Sequence, residues 1–252
     1  MPVDPSLRVE GRIAWISLGS PGILGIDSIR RLIDLAREAE ASEEAKIIAI
    51  TGEGKYFSVG ADLKHVASAS SPDEASRLFK ELASLFRKLL SLEKPVILGI
   101  NGDAYGGGAE LVWTGDIVVA VRGARLYWVE ARWGLVPPML TVLGPHILGH
   151  ARALYHAMTG EPMSVEEAYQ AGIVSRLVDS REELEDEIRA ITSRIMENSP
   201  QAVYSVRRIA RASLSTGLAE LGISELVRLS MTSEARRAAK SFAEKKRPSY
   251  DW

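Results

Sequence analysis

The stretch NGDAYGGGAE (residues 101–110) sets three consecutive glycines directly before an acidic residue, immediately after the apolar run KPVILGI (94–100). Glycine inside a folded element costs about 0.5–1 kcal/mol relative to alanine, so three in a row imply a backbone that turns sharply or approaches something closely. A second stretch, IIAITGEGKYFSVGAD (47–62), follows the same plan: apolar strand, glycine-containing loop, then Gly-Ala-acid. A loop that delivers bare backbone to a helix start exposes N–H donors, and such donors favour negative charge. Two loops of this kind side by side could hold one anionic oxygen between them. Taken singly, glycine-rich strand-to-helix turns are common. Neither stretch matches the G-x-G-x-x-G or P-loop patterns, which counts against a nucleotide enzyme.

Outward from these loops, RIAWISL (12–18) and AKIIAIT (45–51) read as strands, with an amphipathic helix between them carrying Ile29, Leu32, Ile33 and Ala36. A second helix places Ala75, Leu78, Phe79, Leu82, Leu85, Phe86 and Leu89 on one face. A short apolar helix is expected near 108–114, then strands in DIVVAV and ARLYWV around a turn at Arg122 and Gly123. SVEE (164–167) and SREE (180–183) both read as capping boxes. From Ser199 onward the pattern is helical, with helices expected at 200–216 and 218–246 and apolar positions such as Val203, Val206, Leu218, Leu221, Leu226 and Leu229. Strands alternating with helices, followed by a helical tail, predict an α/β core over 1–195 and a helical C-terminal region over 196–252.

Composition excludes several functions. The net charge of -2 gives no global attraction to nucleic acid or acidic membranes. The absence of cysteine removes disulfides, thiolate nucleophiles and cysteine-ligated metals, and fits a reducing, cytoplasmic compartment. MPVDPSLRVEGR has no apolar core, so no signal peptide is expected. WGLVPPMLTVLGPHILGH (133–150) runs without Asp, Glu, Lys or Arg, but its three prolines and three glycines oppose a membrane helix and point to a buried wall. His146 and His150 stand at i, i+4 without a third ligand, so no metal site is expected. Tyr56 occupies the first glycine position of a G-x-S-x-G setting at Ser58, which argues against a serine hydrolase.

Five blocks in order, YFSVGADLKH, KPVILGINGDAYGGGAELVWTGDIVVA, ARLYWVEARWGLVP, MTGEPMSVEEAYQAGIVSRLV and FAEKKRPSY, resemble the enoyl-CoA hydratase/isomerase (crotonase) superfamily from about residue 45 to the C-terminus. The resemblance implies a crotonase/ClpP-like spiral of ββα units with a C-terminal helical oligomerisation region, assembled as a trimer or dimer of trimers. It implies an acyl-CoA thioester whose carbonyl sits between the backbone N–H groups of Ala61 and Gly107. Glu110 would handle water and Glu130 the α-carbon proton; the competing reading of Glu110 is a helix cap, because an acid in a first helical turn stabilises the helix by about 0.3–1 kcal/mol. The flanking Trp128, Val129 and Trp133 suggest an apolar, desolvating site for Glu130. Coenzyme A, part of the substrate and the only carrier expected, would be held by backbone around Ala61, Asp62 and Leu63, by Lys64, and by Phe242 and Lys245 of the tail.

The expected reaction is hydration of a 2-enoyl-CoA. An isomerase or another enolate-forming enzyme is the alternative within catalysis, and an acyl-CoA- or RNA-binding homologue the alternative outside it. The basic residues from 236 to 247 make only a short segment, so nucleic acid is not the expected partner. After GLVP, relatives usually carry a glycine-rich stretch where this chain has PMLTVLGPHI, and the early RPxxxNAL pattern is replaced by GSPGILGIDSI. The acyl group therefore does not follow from the resemblance.

Overall fold

The computed structural model describes residues 3–213 and 216–250, without side chains over 213–218, so Leu218 lies outside the described side chains. Six strands form the main sheet in the order Ser6–Glu10, Ile13–Ser17, Ile47–Thr51, Val96–Ile100, Ile117–Val121 and Arg176–Val178. The first pairs antiparallel with the second through the turn at Gly11 and Arg12, both at positive φ, and every other neighbour pairs in parallel. Parallel strands need both faces covered, which is why Ile47–Thr51 and Val96–Ile100 are buried along their whole length. Helices Ile26–Ala41 and Pro72–Ser91 pack together over one face, where Ile16, Ile48, Ile50 and Leu98 join the main core. Helix Arg181–Met196 covers the other, with Leu184 and Ile188 against Trp15, Ala49 and Ile97.

The chain repeats one path. After each of three main-sheet strands it crosses to a second sheet, as Tyr56–Ser58, Asp103–Tyr105 and Arg125–Tyr127, and then enters a helix. These three short strands lie side by side in parallel, with Met163–Ser164 antiparallel at the edge. Each turn of the spiral therefore leaves the second sheet at the same end, one strand further along.

The apolar stretch 133–150 is split between a 3₁₀ turn, Glu130–Trp133, and helices Pro138–Ile147 and His150–Thr159. Pro137 and Pro138, expected to oppose a helix, instead begin one: proline at the first position loses only an amide that has no helical partner there. Gly149, at φ 79°, separates His146 and His150 into different helices. Among the described residues no helix is long and apolar enough to cross a membrane.

The tail forms three helices, Pro200–Ser213, Thr216–Ser230 and Ser233–Ala243, where the sequence predicts two. The second expected helix breaks at Thr232, whose hydroxyl accepts the Ala235 N–H and starts a new helix. Thr216–Ser230 packs on Pro138–Ile147 and Pro72–Ser91, and Ser233–Ala243 packs on Leu63–Ser68.

Candidate active site

Because the three short strands of the second sheet are aligned, the segments that leave them, 59–61, 106–110 and 128–130, converge on one cavity. Gly60 has φ 82°, and a Cβ there would collide with the Tyr105 carbonyl oxygen. Gly106 N–H donates to the Tyr127 carbonyl at 2.8 Å, and a Cβ on Gly106 would stand 3.5 Å from Glu130 Oε1. The two glycine stretches are therefore adjacent, as their common plan suggested, and Glu130 lies next to the second. Together they line a cavity of about 470 Å³ that also includes Ala61, Gly107 and Glu110.

Asp62 N–H donates to the Leu24 carbonyl at 3.1 Å. Amides alternate in direction along an extended strand, so the Ala61 N–H points the other way. Gly107 is the first residue of helix Gly107–Glu110, where an amide has no intrahelical acceptor. Its nitrogen lies 3.5 Å from the position of a Gly60 Cβ, so the two loops bring these backbone segments together.

Glu110 and Glu130 share the cavity but differ in surroundings. Glu110 is fully buried and accepts two amides from the first turn of helix Pro138–Ile147: Met139 N–H at 2.5 Å on Oε2 and Leu140 N–H at 3.1 Å on Oε1. Burial raises its pKa well above the usual carboxylate value, the charge of Glu130 raises it further, and the two amides oppose both. Glu130 is 6% exposed, and neither oxygen has a hydrogen-bond partner among the described residues. Desolvation pushes its pKa up to about 8. Burial pushes both carboxyls toward the neutral form; what separates them is that Glu110 accepts two helix amides, which favour its charge, and Glu130 has no such donor among the described residues.

Of the remaining expected residues, Leu63 and Phe242 line the cavity, while Asp62 caps helix Leu63–Ser68 through the Lys64 N–H at 3.2 Å. The Lys64 and Lys245 side chains are exposed and do not line it. Phe242 stacks edge-on with Trp133 at 5.1 Å.

Two contributors escaped the sequence. Ser58, fully buried, donates to the Gly22 carbonyl at 2.6 Å and accepts the Gly60 N–H at 3.1 Å, which pins the first glycine loop. A Cβ on Gly108 would collide with it, so the last of the three consecutive glycines makes room for this serine. The amides of Met139 and Leu140 also carried no residue-level signal, although Pro137-Pro138 marks the helix start that supplies them. Among the described residues no group of three His, Asp or Glu side chains is arranged to hold a metal ion.

A family model described as enoyl-CoA hydratase/isomerase matches residues 13–252. The chain is 28% identical over 251 residues to a probable enoyl-CoA hydratase of Bacillus subtilis, covering 97% of each. It is 39% identical over 173 residues to the carnitinyl-CoA dehydratase of Salmonella enteritidis, 67% of this chain and 64% of that protein. An enoyl-CoA hydratase/isomerase from Xanthobacter autotrophicus superposes with a TM-score of 0.85 at 23% identity, covering 97% of this chain and 94% of that one. One from Mycobacterium paratuberculosis gives 0.84 at 24%, covering 96% and 99%. At these identities the two superpositions bear on the fold alone, and they establish it as the crotonase spiral.

Proposed function

The chain belongs to the enoyl-CoA hydratase/isomerase family, and from that premise we propose that it adds water across the double bond of a 2-enoyl-CoA thioester. The observation that carries this is the contrast within the buried pair, one glutamate held by two amides and the other without a partner among the described residues. Glu110, as carboxylate, accepts a proton from water while the water oxygen bonds to the β-carbon. The electrons of the double bond move toward the thioester, and the amides of Ala61 and Gly107 stabilise the negative oxygen. Glu130 delivers its proton to the α-carbon, and the proton on Glu110 then returns to Glu130 through solvent for the next turnover. One oxyanion donor of this kind contributes about 10²–10³ in kcat, and one positioned acid or base about 10²–10⁴.

The CoA moiety is assigned to the backbone of Ala61, Asp62 and Leu63, with Lys64, Phe242 and Lys245 around it. In this reading the molecule assembles as a trimer or dimer of trimers, and the exposed Val206 and Ile209 are apolar positions suited to a contact between copies.

One observation favours a second reading. Both Glu110 oxygens are engaged by the helix amides, and Glu130 alone could shuttle a proton between carbons, as an isomerase requires. Loss of crotonyl-CoA absorbance tests for hydration. Glu110→Gln should abolish most of that activity while retaining more of the α-proton exchange measured in deuterated water. Equal loss of both activities would contradict a water-handling Glu110.

A further inference from the structure

Resting on the hydratase reading, we propose that the aromatic wall of the catalytic cavity selects a planar, conjugated acyl group, a 3-aryl-2-propenoyl thioester, over an alkyl 2-enoyl chain of similar size. Phe, Trp and Tyr make up 6% of the chain, yet seven of the 21 residues lining this cavity are aromatic. That enrichment belongs to the site and not to the composition.

Three of the seven form a continuous surface. Tyr56, Tyr105 and Tyr127 occur on the three neighbouring strands of the second sheet, and residues of the opposite face, Phe57, Ala104 and Leu126, are fully buried in the core. Period-two alternation therefore puts the tyrosines together on the cavity side. Tyr105 and Tyr127 stack at 4.3 Å with 10° between their planes, and Tyr56 meets Tyr105 edge-on at 6.1 Å. The Tyr105 hydroxyl donates to Asp103 Oδ2 at 3.3 Å, and Asp103 Oδ1 accepts the Arg125 N–H at 2.9 Å, so the stack is tied to its own sheet. Phe79, Leu82 and Phe86 of helix Pro72–Ser91 add a second apolar lining. An aryl ring gains from offset or edge contact with such rings in addition to the area it buries, whereas an alkyl chain gains from area alone.

A quaternary ammonium group would also meet aromatic surface, but the arrangement suits it less well. Ammonium ions prefer open ring faces. Tyr105 and Tyr127 cover one face of each other, the Lys55 ammonium already sits 5.3 Å from the Tyr56 ring centroid, and Arg132 adds another positive charge to the lining.

The test compares kcat/KM for four thioesters that differ only in acyl group: crotonyl-, 2-nonenoyl-, cinnamoyl- and 4-trimethylammonio-2-butenoyl-CoA, the second matching cinnamoyl in carbon count. Because the CoA moiety is constant, its contacts cancel in each ratio. Cinnamoyl-CoA should exceed 2-nonenoyl-CoA by about tenfold. Tyr105→Leu and Tyr127→Leu should each remove most of that ratio, and Tyr105→Phe, which keeps the ring, should preserve it. A wild-type ratio of one or less, preference for the ammonium ester, or a uniform change across all four esters in the leucine variants would overturn the proposal; the last would assign the wall to CoA. Turnover of crotonyl-CoA without aryl preference defeats this inference alone, whereas no hydration of any ester defeats the hydratase reading. In that case calorimetric binding of 3-phenylpropanoyl-CoA against nonanoyl-CoA decides the selectivity, and equal affinities reject it.

Discussion

A carboxylic acid buried without a partner makes a protein pay for ionising it, and Glu130 gives that cost a measurable sign. Its folded pKa of about 8 lies above the ordinary value of 4.5, so the folded state binds more protons than the unfolded state between those two limits. Stability contributed by the neutral group is complete below pH 4.5, declines as pH rises through this window, and is lost above about 8. Glu130→Gln cannot ionise, so its melting temperature relative to wild type should be more favourable at pH 8.5 than at pH 5. Taking this difference of differences removes any constant cost of the buried amide. In the proposed hydration, turnover by the variant should fall by about 10²–10⁴. Turnover within threefold of wild type, or a stability difference independent of pH, would reject an ionisable Glu130 at the reacting centre.

At the scale of elements, Asp116 shows how the tail is fixed to the core. One of its oxygens accepts the Val96 N–H at 2.7 Å and Arg207 Nε at 2.6 Å, and the other accepts Arg211 at 2.7 Å. Arg207, 6% exposed, also donates to the carbonyls of Leu92 and Leu89, and Arg211 donates to those of Trp113 and Thr114. Helix Pro200–Ser213 is thereby fastened to the turn Leu111–Thr114, which directly follows Glu110. Asp116→Ala leaves a buried guanidinium without its counterion, which costs about 3–5 kcal/mol. Urea denaturation should show that loss, and an unchanged midpoint would mean the cluster is strongly hydrated. None of this was legible in the sequence, because Asp116 and Arg207 are 91 residues apart. Long amphipathic helices were legible because their apolar period is repeated many times. The strand Ser6–Glu10 was missed because it is largely exposed at the sheet edge and has no buried stripe. The approach of Glu110 and Glu130 depends on three-residue strands paired as Leu126 with Ala104 and Tyr127 with Tyr105. Strands that short have no readable period, so only the likeness of the two glycine loops and the family resemblance pointed to the site.

Over the whole molecule the spiral builds most of the cavity and the tail completes it. Helix Ser233–Ala243 packs against Leu63–Ser68 and the turn Glu130–Trp133, and the Ala235 backbone approaches so closely that a Cβ on Gly134 would lie 3.1 Å from it. Phe242 reaches the cavity lining and stacks on Trp133, and the Tyr250 hydroxyl donates to the Arg132 carbonyl at 2.6 Å. Apart from the packing on Leu63–Ser68, these contacts fall on the segment that carries Glu130, so the tail covers the site and braces one of its acids. Deleting 233–252 should therefore raise KM for acyl-CoA, by removing Phe242 and Lys245, and open the cavity to water. Main-chain support for Ala61, Gly107 and Glu110 comes from elsewhere in the spiral, so residual hydration should persist with a kcat reduced less than by Glu130→Gln. Circular dichroism of the truncated chain checks that the spiral is intact, and light scattering shows whether the tail also contributes to assembly. An unchanged KM in a folded truncation would remove the tail from the binding site and leave its packing against Leu63–Ser68 as a purely structural contact.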